Sequence, residues 1–178
     1  MDDNTLVIEC VKGNAKAQRM LFDKFASKMM AVCMRYANDT MEAEDVLQEG
    51  FVKVFGKLAD FKMEGSLEGW IRRIMVNTSL DALRKNKRFQ NDSKLEDVDF
   101  KTSSSELASD HLLAEDLLKM IQALPEGYKI VFNLFAIEGY SHKEIADLLG
   151  VSENTSKSQY SRAKAYLRHE LEKLEIER

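Results

Sequence analysis

Residues suited to noncovalent binding chemistry are concentrated near the C-terminus, between positions 152 and 168. Four basic residues against the single acid Glu153 give this stretch a net charge of +3. Small polar side chains near the start of a predicted helix are followed by cations on the same side: Asn154, Thr155, Lys157, Ser158, Ser161 and Arg162. Phosphates attract such a helix, and short side chains can approach base edges in the major groove. The pattern indicates recognition of duplex nucleic acid, with a solvated basic face as the alternative.

A second candidate surface lies between residues 60 and 88. One stripe of a predicted helix carries an aromatic, an amide and cations at spacings of three and four, and the preceding loop holds another aromatic. The candidate residues are Phe61, Lys62, Trp70, Arg73, Asn77 and Arg84. Stacking on an aromatic contributes about 1–3 kcal/mol per base, and cations follow the backbone. The stripe therefore predicts a platform for single-stranded DNA; the alternative is that Trp70 is a core residue beside a basic helix surface.

A third set of residues has the opposite charge. Asp45, Gln48, Glu49 and Val52 share one face of a predicted helix, forming an acidic patch with one exposed apolar residue. Taken alone, such a face is most simply explained as a solvated helix surface.

The sequence offers little support for covalent chemistry. It contains no glycine-rich phosphate loop and no nucleophile motif, and the neighbouring acids Glu44 and Asp45 point in different directions on a helix. Cys10 and Cys33 lack metal-ligand spacing, and the three histidines are widely scattered. We therefore expect no catalytic residue, no metal and no cofactor, and an enzyme is the least favoured class.

The elements that position these surfaces are predicted to be helices. One proline and eight glycines in 178 residues favour an almost wholly helical chain. Apolar periodicity predicts helices over residues 4–12, 15–36, 42–58 and 69–88, a further helix from about Asp110, and another with Pro125 at its first position.

The C-terminal helices show the start and stop signals of a helix-turn-helix. Ser141 with Glu144 forms a predicted capping box, Gly150 suits the left-handed end of the helix, and Ser152 can cap the next helix at once. In that second helix Tyr160, Ala163, Leu167, Leu171 and Leu174 form the predicted buried stripe. The connection of about three residues has the length that the motif needs.

Charge and composition divide the chain. Residues 70–88 carry a net charge of +5, whereas residues 89–116 carry −6, although the whole chain is only −4. Residues 89–109 also lose the helical period, which predicts a flexible acidic linker. The expected architecture is all-α, with two small helical domains: an N-terminal helical bundle over 1–88 and a C-terminal helix-turn-helix domain over 110–178.

Three segments, in order, resemble a bacterial RNA polymerase sigma factor of the extracytoplasmic-function type: EDVLQEGFVKVF, GWIRRIMVNTSLDALRKNKR, and LPEGYKIVFNLFAIEGYSHKEIADLLGVSENTSKSQYSRAKAYLR. The resemblance spans about residues 5–172, apart from the linker. It implies a region 2-like N-terminal domain that grips the β′ clamp helices of the polymerase core and melts and recognises the −10 element. It also implies a region 4-like C-terminal domain that recognises the −35 element and contacts the β flap.

The resemblance assigns roles residue by residue. Asp45, Gln48 and Glu49, on the same face as Val52, fall in the core-binding helix of the family. Phe61, Lys62 and the loop to Leu67 fall where the family captures a flipped −10 base. Asn77 falls where it reads that element, with Trp70, Arg73 and Arg84 along the same stripe.

The C-terminal correspondence includes two departures from the family pattern. Lys157, Ser158, Ser161 and Arg162 fall on its −35 face, beside Asn154 and Thr155. Ser156 occupies a position where the family usually has valine, and Gln159 replaces a common basic residue. Both changes can alter the tilt of the helix or its base preference, so no −35 sequence follows from the resemblance.

The expected partners are RNA polymerase core, promoter DNA and an anti-sigma factor that covers the DNA- and core-binding surfaces. No apolar run approaches the roughly 20 residues of a membrane span, and the acidic start MDDNTLVIE is unlike a signal peptide. We therefore expect a cytoplasmic protein without membrane insertion. The competing class is a stand-alone helix-turn-helix regulator, which accounts for residues 141–174 but not for DVLQEG or for the basic stripe.

Overall fold

The computed structural model describes residues 1–89 and 114–176. All regular structure in these residues is helical, and they fall into two compact units, one on each side of the gap. The predicted all-α fold with two helical units is confirmed. Most of the predicted linker, residues 90–109, and the first four residues of the predicted C-terminal domain lie outside the described residues, whereas Phe89 is the last residue of a helix.

Four helices build the N-terminal unit. They are α1 (Asp3–Val11), α2 (Ala15–Tyr36), α3 (Thr40–Lys57) and α4 (Leu67–Phe89), with a single 3-10 turn, Leu58–Asp60, after α3. Asp2, Asn14 and Asp39 cap the first three helices, each accepting a hydrogen bond from a backbone N–H of the first turn. Such caps satisfy donors that have no partner within the helix.

The helices of the N-terminal unit pack around an apolar core. Leu21, Met29, Val54, Ile71 and Met75 are fully buried there. Close packing explains the glycine inside α3, because a Cβ at Gly50 would come within 2.2 Å of the Met75 sulfur. The core therefore fixes which sides of α3 and α4 remain outside.

The described part of the C-terminal unit, residues 114–176, contains four α-helices. They are α5 (Ala114–Gln122), α6 (Glu126–Phe132), α7 (His142–Leu149) and α8 (Glu153–Ile176), and a π-helical turn, Asn133–Ile137, directly follows α6. The core combines Met120, Leu124 and Tyr128 with Ala163 and Leu167 of α8. Leu171 and Leu174 are only partly buried against it.

Local signals in the C-terminal unit were predicted well, with one shift. The capping box of Ser141 and Glu144 is present, and Gly150 ends α7 in the left-handed conformation at φ 69°. Ser152 Oγ accepts a hydrogen bond of 3.0 Å from the Thr155 N–H at the start of α8. The prediction for Pro125 was wrong by one residue: its extended backbone makes it the N-cap of α6, so Glu126 is the first helical residue.

Candidate functional site

The predicted duplex-binding face of α8 is a solvent-exposed surface. Asn154, Lys157, Ser158, Ser161 and Arg162 are all exposed, at helical spacings that place them on one side. Ala163 and Leu167 anchor the opposite side of the helix in the core.

Thr155 differs from the other five candidates on α8. It is half-buried, and its Oγ1 lies 2.9 Å from Ser152 Oγ in the capping turn. Its backbone N–H also donates to Ser152. The side chain therefore has a structural partner at the start of the helix, and its hydroxyl is committed to the cap in this conformation.

The two positions that depart from the family pattern both have structural partners. Ser156 is fully buried, and its Oγ lies 2.8 Å from His142 Nδ1 at the start of α7. Gln159 is half-buried beside Gly127 of α6, where a Cβ would come within 3.3 Å of the Gln159 amide nitrogen. Ser156 therefore lies inside the unit, and Gln159 lies at the edge of the exposed face beside α6.

Trp70 lies on α4, is half-buried, and packs against Phe61. Its ring centroid is 5.4 Å from that of Phe61, with the planes tilted by 50°. Phe61 is only 7% exposed. The expectation of a second accessible aromatic in the loop therefore needs correction: in this conformation Phe61 packs against Trp70 and is not itself presented for stacking.

The loop after Phe61 presents exposed side chains. Lys62 is exposed, and so is Met63, at 41%. Met63 has a positive φ of 57°, a conformation uncommon for residues other than glycine, and Gly65 follows at φ 78°. The sequence does not mark Met63 as a candidate, because a methionine in a polar loop carries no spacing signal of its own.

The cations of α4 differ in their surroundings. Arg73 and Asn77 are exposed. Arg84 lies 3.3 Å from Asp81, which also approaches Lys53 of α3 at 3.5 Å. These ion pairs are at the surface, where each contributes about 0–1 kcal/mol.

The same ion pairs reach the predicted acidic patch. Glu49 lies 3.0 Å from Lys53 and 3.7 Å from Lys85. A continuous set of charges thus joins α3 to α4, and it includes residues from two surfaces that the sequence treated as separate. The connection was not predictable from the sequence, because the pairs between the two helices join residues far apart in the chain.

The acidic patch is accessible on α3. Asp45 and Gln48 are exposed, Val52 is 72% exposed, and the Glu49 side chain is 41% exposed. Phe22 of α2 is also 37% exposed and packs against Phe51 at 4.7 Å. Carboxylates beside accessible apolar groups suit a protein partner that supplies cations and an apolar contact.

Other chemistry has little support in the part of the chain that the structure describes. No group of three or more metal-ligating side chains is found among those residues. Burial raises the pKa of the Cys33 thiol to about 11, which suppresses the reactive thiolate. Among the described helices, none is both long enough and apolar enough to cross a membrane.

Comparison with known families identifies both units. The sigma-70 region 2 family model matches residues 21–89, and the sigma-70 region 4 model matches residues 114–167. The chain is 31% identical to the ECF RNA polymerase sigma factor SigE of Mycolicibacterium smegmatis over 157 residues, covering 86% of this chain and 61% of SigE. It is 28% identical to the ECF RNA polymerase sigma factor SigW of Bacillus subtilis over 174 residues, covering 92% of this chain and 93% of SigW.

Solved structures support the fold. The sigma factor RpoE, in complex with the anti-sigma factor NepR from Bartonella quintana, matches with a TM-score of 0.56 and 24% identity, covering 86% of this chain and 96% of RpoE. CnrH, in complex with the cytosolic domain of CnrY, matches with a TM-score of 0.51 and 22% identity, covering 96% and 97%. With both sigma-70 regions matched in order, this chain belongs to the extracytoplasmic-function RNA polymerase sigma factors.

Proposed function

We propose that this chain is a promoter-specificity subunit that binds RNA polymerase core and directs it to promoters with defined −10 and −35 elements. The observation that carries this proposal is the match to region 2 and region 4 in one chain, each unit with an accessible polar face. The function is noncovalent throughout: the protein selects a site and stabilises opened DNA, while the polymerase performs the synthesis.

The C-terminal unit recognises the −35 element as duplex. Lys157 and Arg162 neutralise phosphates or contact guanine, while Asn154, Ser158 and Ser161 approach base edges in the major groove. Thr155 contributes through the cap that orients the first turn of α8. The basic face accounts for attraction to DNA in a chain whose net charge is −4.

The N-terminal unit opens the −10 element by trapping an unpaired base. Trp70 supplies a stacking surface, Phe61 holds that ring from beneath, and Lys62 attracts the adjoining phosphates. Unpairing costs a few kcal/mol, and stacking recovers about 1–3 kcal/mol per base. Along α4, Arg73, Asn77 and Arg84 then follow the separated strand.

The acidic patch on α3 binds the polymerase. Asp45, Gln48 and Glu49 would pair with cationic groups of the β′ clamp helices, while Val52 contributes an apolar contact. The C-terminal unit would contact the β flap. Linking two weak DNA-binding units to one core raises apparent promoter affinity without new contacts, so the free subunit need not bind DNA tightly.

Regulation by an anti-sigma factor follows from the same accessible surfaces. RpoE and CnrH were each solved in a complex, RpoE with an anti-sigma factor and CnrH with the cytosolic domain of CnrY. We infer that this chain, acting in the cytoplasm, is likewise held by a protein that covers its core- and DNA-binding faces.

The decisive test is transcription in vitro. Purified chain and purified core are combined on a library of promoters in which the −10 and −35 sequences vary independently. The proposal requires RNA synthesis from a subset of promoters sharing both elements. A stand-alone regulator would instead bind specific duplex without polymerase and would start no RNA.

A further inference from the structure

A partly buried polar contact joins the two helices of the helix-turn-helix. His142 Nδ1 lies 2.8 Å from Ser156 Oγ, and Ser156 is fully buried. His142 is the first residue of α7, and Ser156 lies in the first turn of α8. The contact therefore connects the starts of the two helices through the fully buried Ser156 and the half-buried His142.

The backbone on both sides of this contact is fixed by capping. Ser141, directly before His142, and Glu144, two residues after it, form the capping box. The Ser156 N–H donates to the Ser152 carbonyl at 3.1 Å, one turn back in α8. The hydrogen bond thus transmits the position of α7 to the start of α8.

Aromatic packing fixes the imidazole ring. It stacks on Phe135 with a centroid distance of 4.2 Å and planes only 11° apart. Tyr160 packs against both rings, at 4.5 Å from Phe135 and 5.9 Å from His142. These contacts hold the ring where Nδ1 meets the hydroxyl, and they tie α8 to the π-helical turn.

Ser156 is flanked in the sequence by residues of the exposed face of α8. Lys157 and Ser158 follow it directly, and Asn154 precedes it by two residues. Side chains extend about 5–6 Å from a helix axis. A rotation of α8 by about 10° would therefore move a base-contacting atom by about 1 Å, which breaks most hydrogen-bond geometry.

We propose that His142 and Ser156 are positioning residues for −35 recognition, and that their hydrogen bond sets the rotation at which α8 presents its exposed face. Neither residue needs to touch DNA. This inference rests on the proposed function, because that function supplies the −35 element as the DNA that α8 contacts.

The test compares variants that remove the hydrogen bond in different ways. Ser156→Ala removes the hydroxyl, and His142→Phe keeps an aromatic ring on Phe135 but lacks Nδ1. His142→Asn returns a polar group near the former position of Nδ1. Ser79→Ala is the matched control, because Ser79 is also a buried serine and donates its hydroxyl to the Met75 carbonyl at 2.9 Å, but in the N-terminal unit.

Two readouts separate positioning from simple stability. The first is the ranking of −35 sequences in transcription with core, with the −10 element held constant. The second is the duplex sequence selected by the full chain alone, at low salt, from a random pool. A residue with only a structural role would lower the thermal midpoint and leave both rankings unchanged.

We expect Ser156→Ala and His142→Phe to change both rankings and to lower transcription from the preferred −35 sequence by about three- to tenfold. The double variant should lose no more transcription than the more affected single variant, because each single substitution already removes the same hydrogen bond. His142→Asn should restore part of the original ranking, and Ser79→Ala should leave it intact.

Two outcomes distinguish the failure of each idea. If Ser156→Ala and His142→Phe select the same sequences as the wild type, the positioning role is wrong even though the subunit functions. If the wild type starts no RNA with core, the proposed function is wrong. Duplex selection by the chain alone would still show whether the hydrogen bond controls the rotation of α8. Should Ser156→Ala fail to fold, the comparison of His142→Phe with His142→Asn decides the question.

Discussion

The two surfaces proposed to face DNA are built in different ways. On α8, the polar residues project from one helix whose opposite side is anchored by Ala163 and Leu167. On α4, the aromatic Trp70 is held by the buried Phe61, and Arg84 lies beside Asp81 within a set of ion pairs that reaches α3. Under the proposed function, the first surface docks into intact duplex, whereas the second holds an aromatic ring and cations in place for a strand that must first be separated.

The largest expected effect concerns the face of α3 that neither DNA surface uses. Asp45→Lys combined with Glu49→Lys should abolish association with polymerase core, because like charges at an interface cost several kcal/mol. Co-purification with core measures this. Glu44→Lys is the control for each single substitution, since it reverses one charge at an exposed position about 100° around the same helix from Asp45. Normal association of the double variant, with helicity retained, would exclude this face as the polymerase contact.

Removing the ring of Trp70 should affect only the surface on α4, which is proposed to open the −10 element. Trp70→Ala should weaken open-complex formation by about 1–3 kcal/mol, because one stacked base is lost. Permanganate reactivity of unpaired thymines in the −10 element measures opening. Trp70→Phe, which keeps an aromatic face, should retain much of the activity. Equal opening by wild type and Trp70→Ala would show that the ring is only a packing group.

A substitution on α8 should instead affect only −35 recognition. Arg162→Ala should cost about 1–3 kcal/mol at promoters that depend on the −35 element and should leave −10 opening on other templates unchanged. Competition binding of the assembled holoenzyme measures the loss. Lys173→Ala removes an exposed cation near the far end of the same helix and should have little effect. An unaltered promoter affinity for Arg162→Ala would place that guanidinium away from DNA.

The ion pairs of the N-terminal unit offer a smaller test. Asp81→Asn removes the carboxylate that lies near both Arg84 and Lys53. It should lower the free energy of unfolding by no more than about 1 kcal/mol, and it should strengthen binding to single-stranded −10 DNA by making these cations more available. The gain should shrink as salt is raised, because exposed charges are screened. Asp23→Asn, a change at an exposed surface acid of α2, is the control.

The smallest expected effect is a pH dependence in the C-terminal unit. Burial, with Lys157 nearby, lowers the pKa of His142 below its ordinary value of 6.5. The folded state therefore favours the neutral imidazole, and its stabilising contribution is lost as pH falls through about 6.5 and below. Chemical denaturation between pH 7.5 and 5.5 should show a decline that is reduced in His142→Asn. An unchanged slope in that variant would assign the decline to other groups.

Local sequence signals predicted the parts of the fold that depend on a few consecutive residues. The bounds of α2, the capping box at Ser141 and the left-handed Gly150 all follow from such signals. The exposed face of α8 follows as well, because its apolar side is periodic. Features formed by residues distant in sequence were not predictable in this way, and these are the features that distinguish the two DNA-facing surfaces.

Three structural details illustrate that limit. The sequence places Phe61 in a loop, where an aromatic is expected to be accessible, but it is buried by its tertiary contact with Trp70. The ion pairs from Glu49 to Lys85 join α3 and α4 across 36 positions of the chain, with no spacing rule to indicate them. The contact between His142 and Ser156 depends on the turn between two helices, so the sequence marks Ser156 only as an unusual residue on a buried face.

The central claim is that one unit opens DNA while the other recognises intact duplex. Open-complex formation with core should be measured for the wild type, Trp70→Ala and Arg162→Ala, on promoters whose −10 element is either paired or already mismatched open. A pre-opened −10 element should restore a large part of the Trp70→Ala defect, since the unpairing cost is removed, and should not restore the −35 recognition lost in Arg162→Ala. Equal rescue of both variants, or rescue of Arg162→Ala alone, would contradict this division of roles.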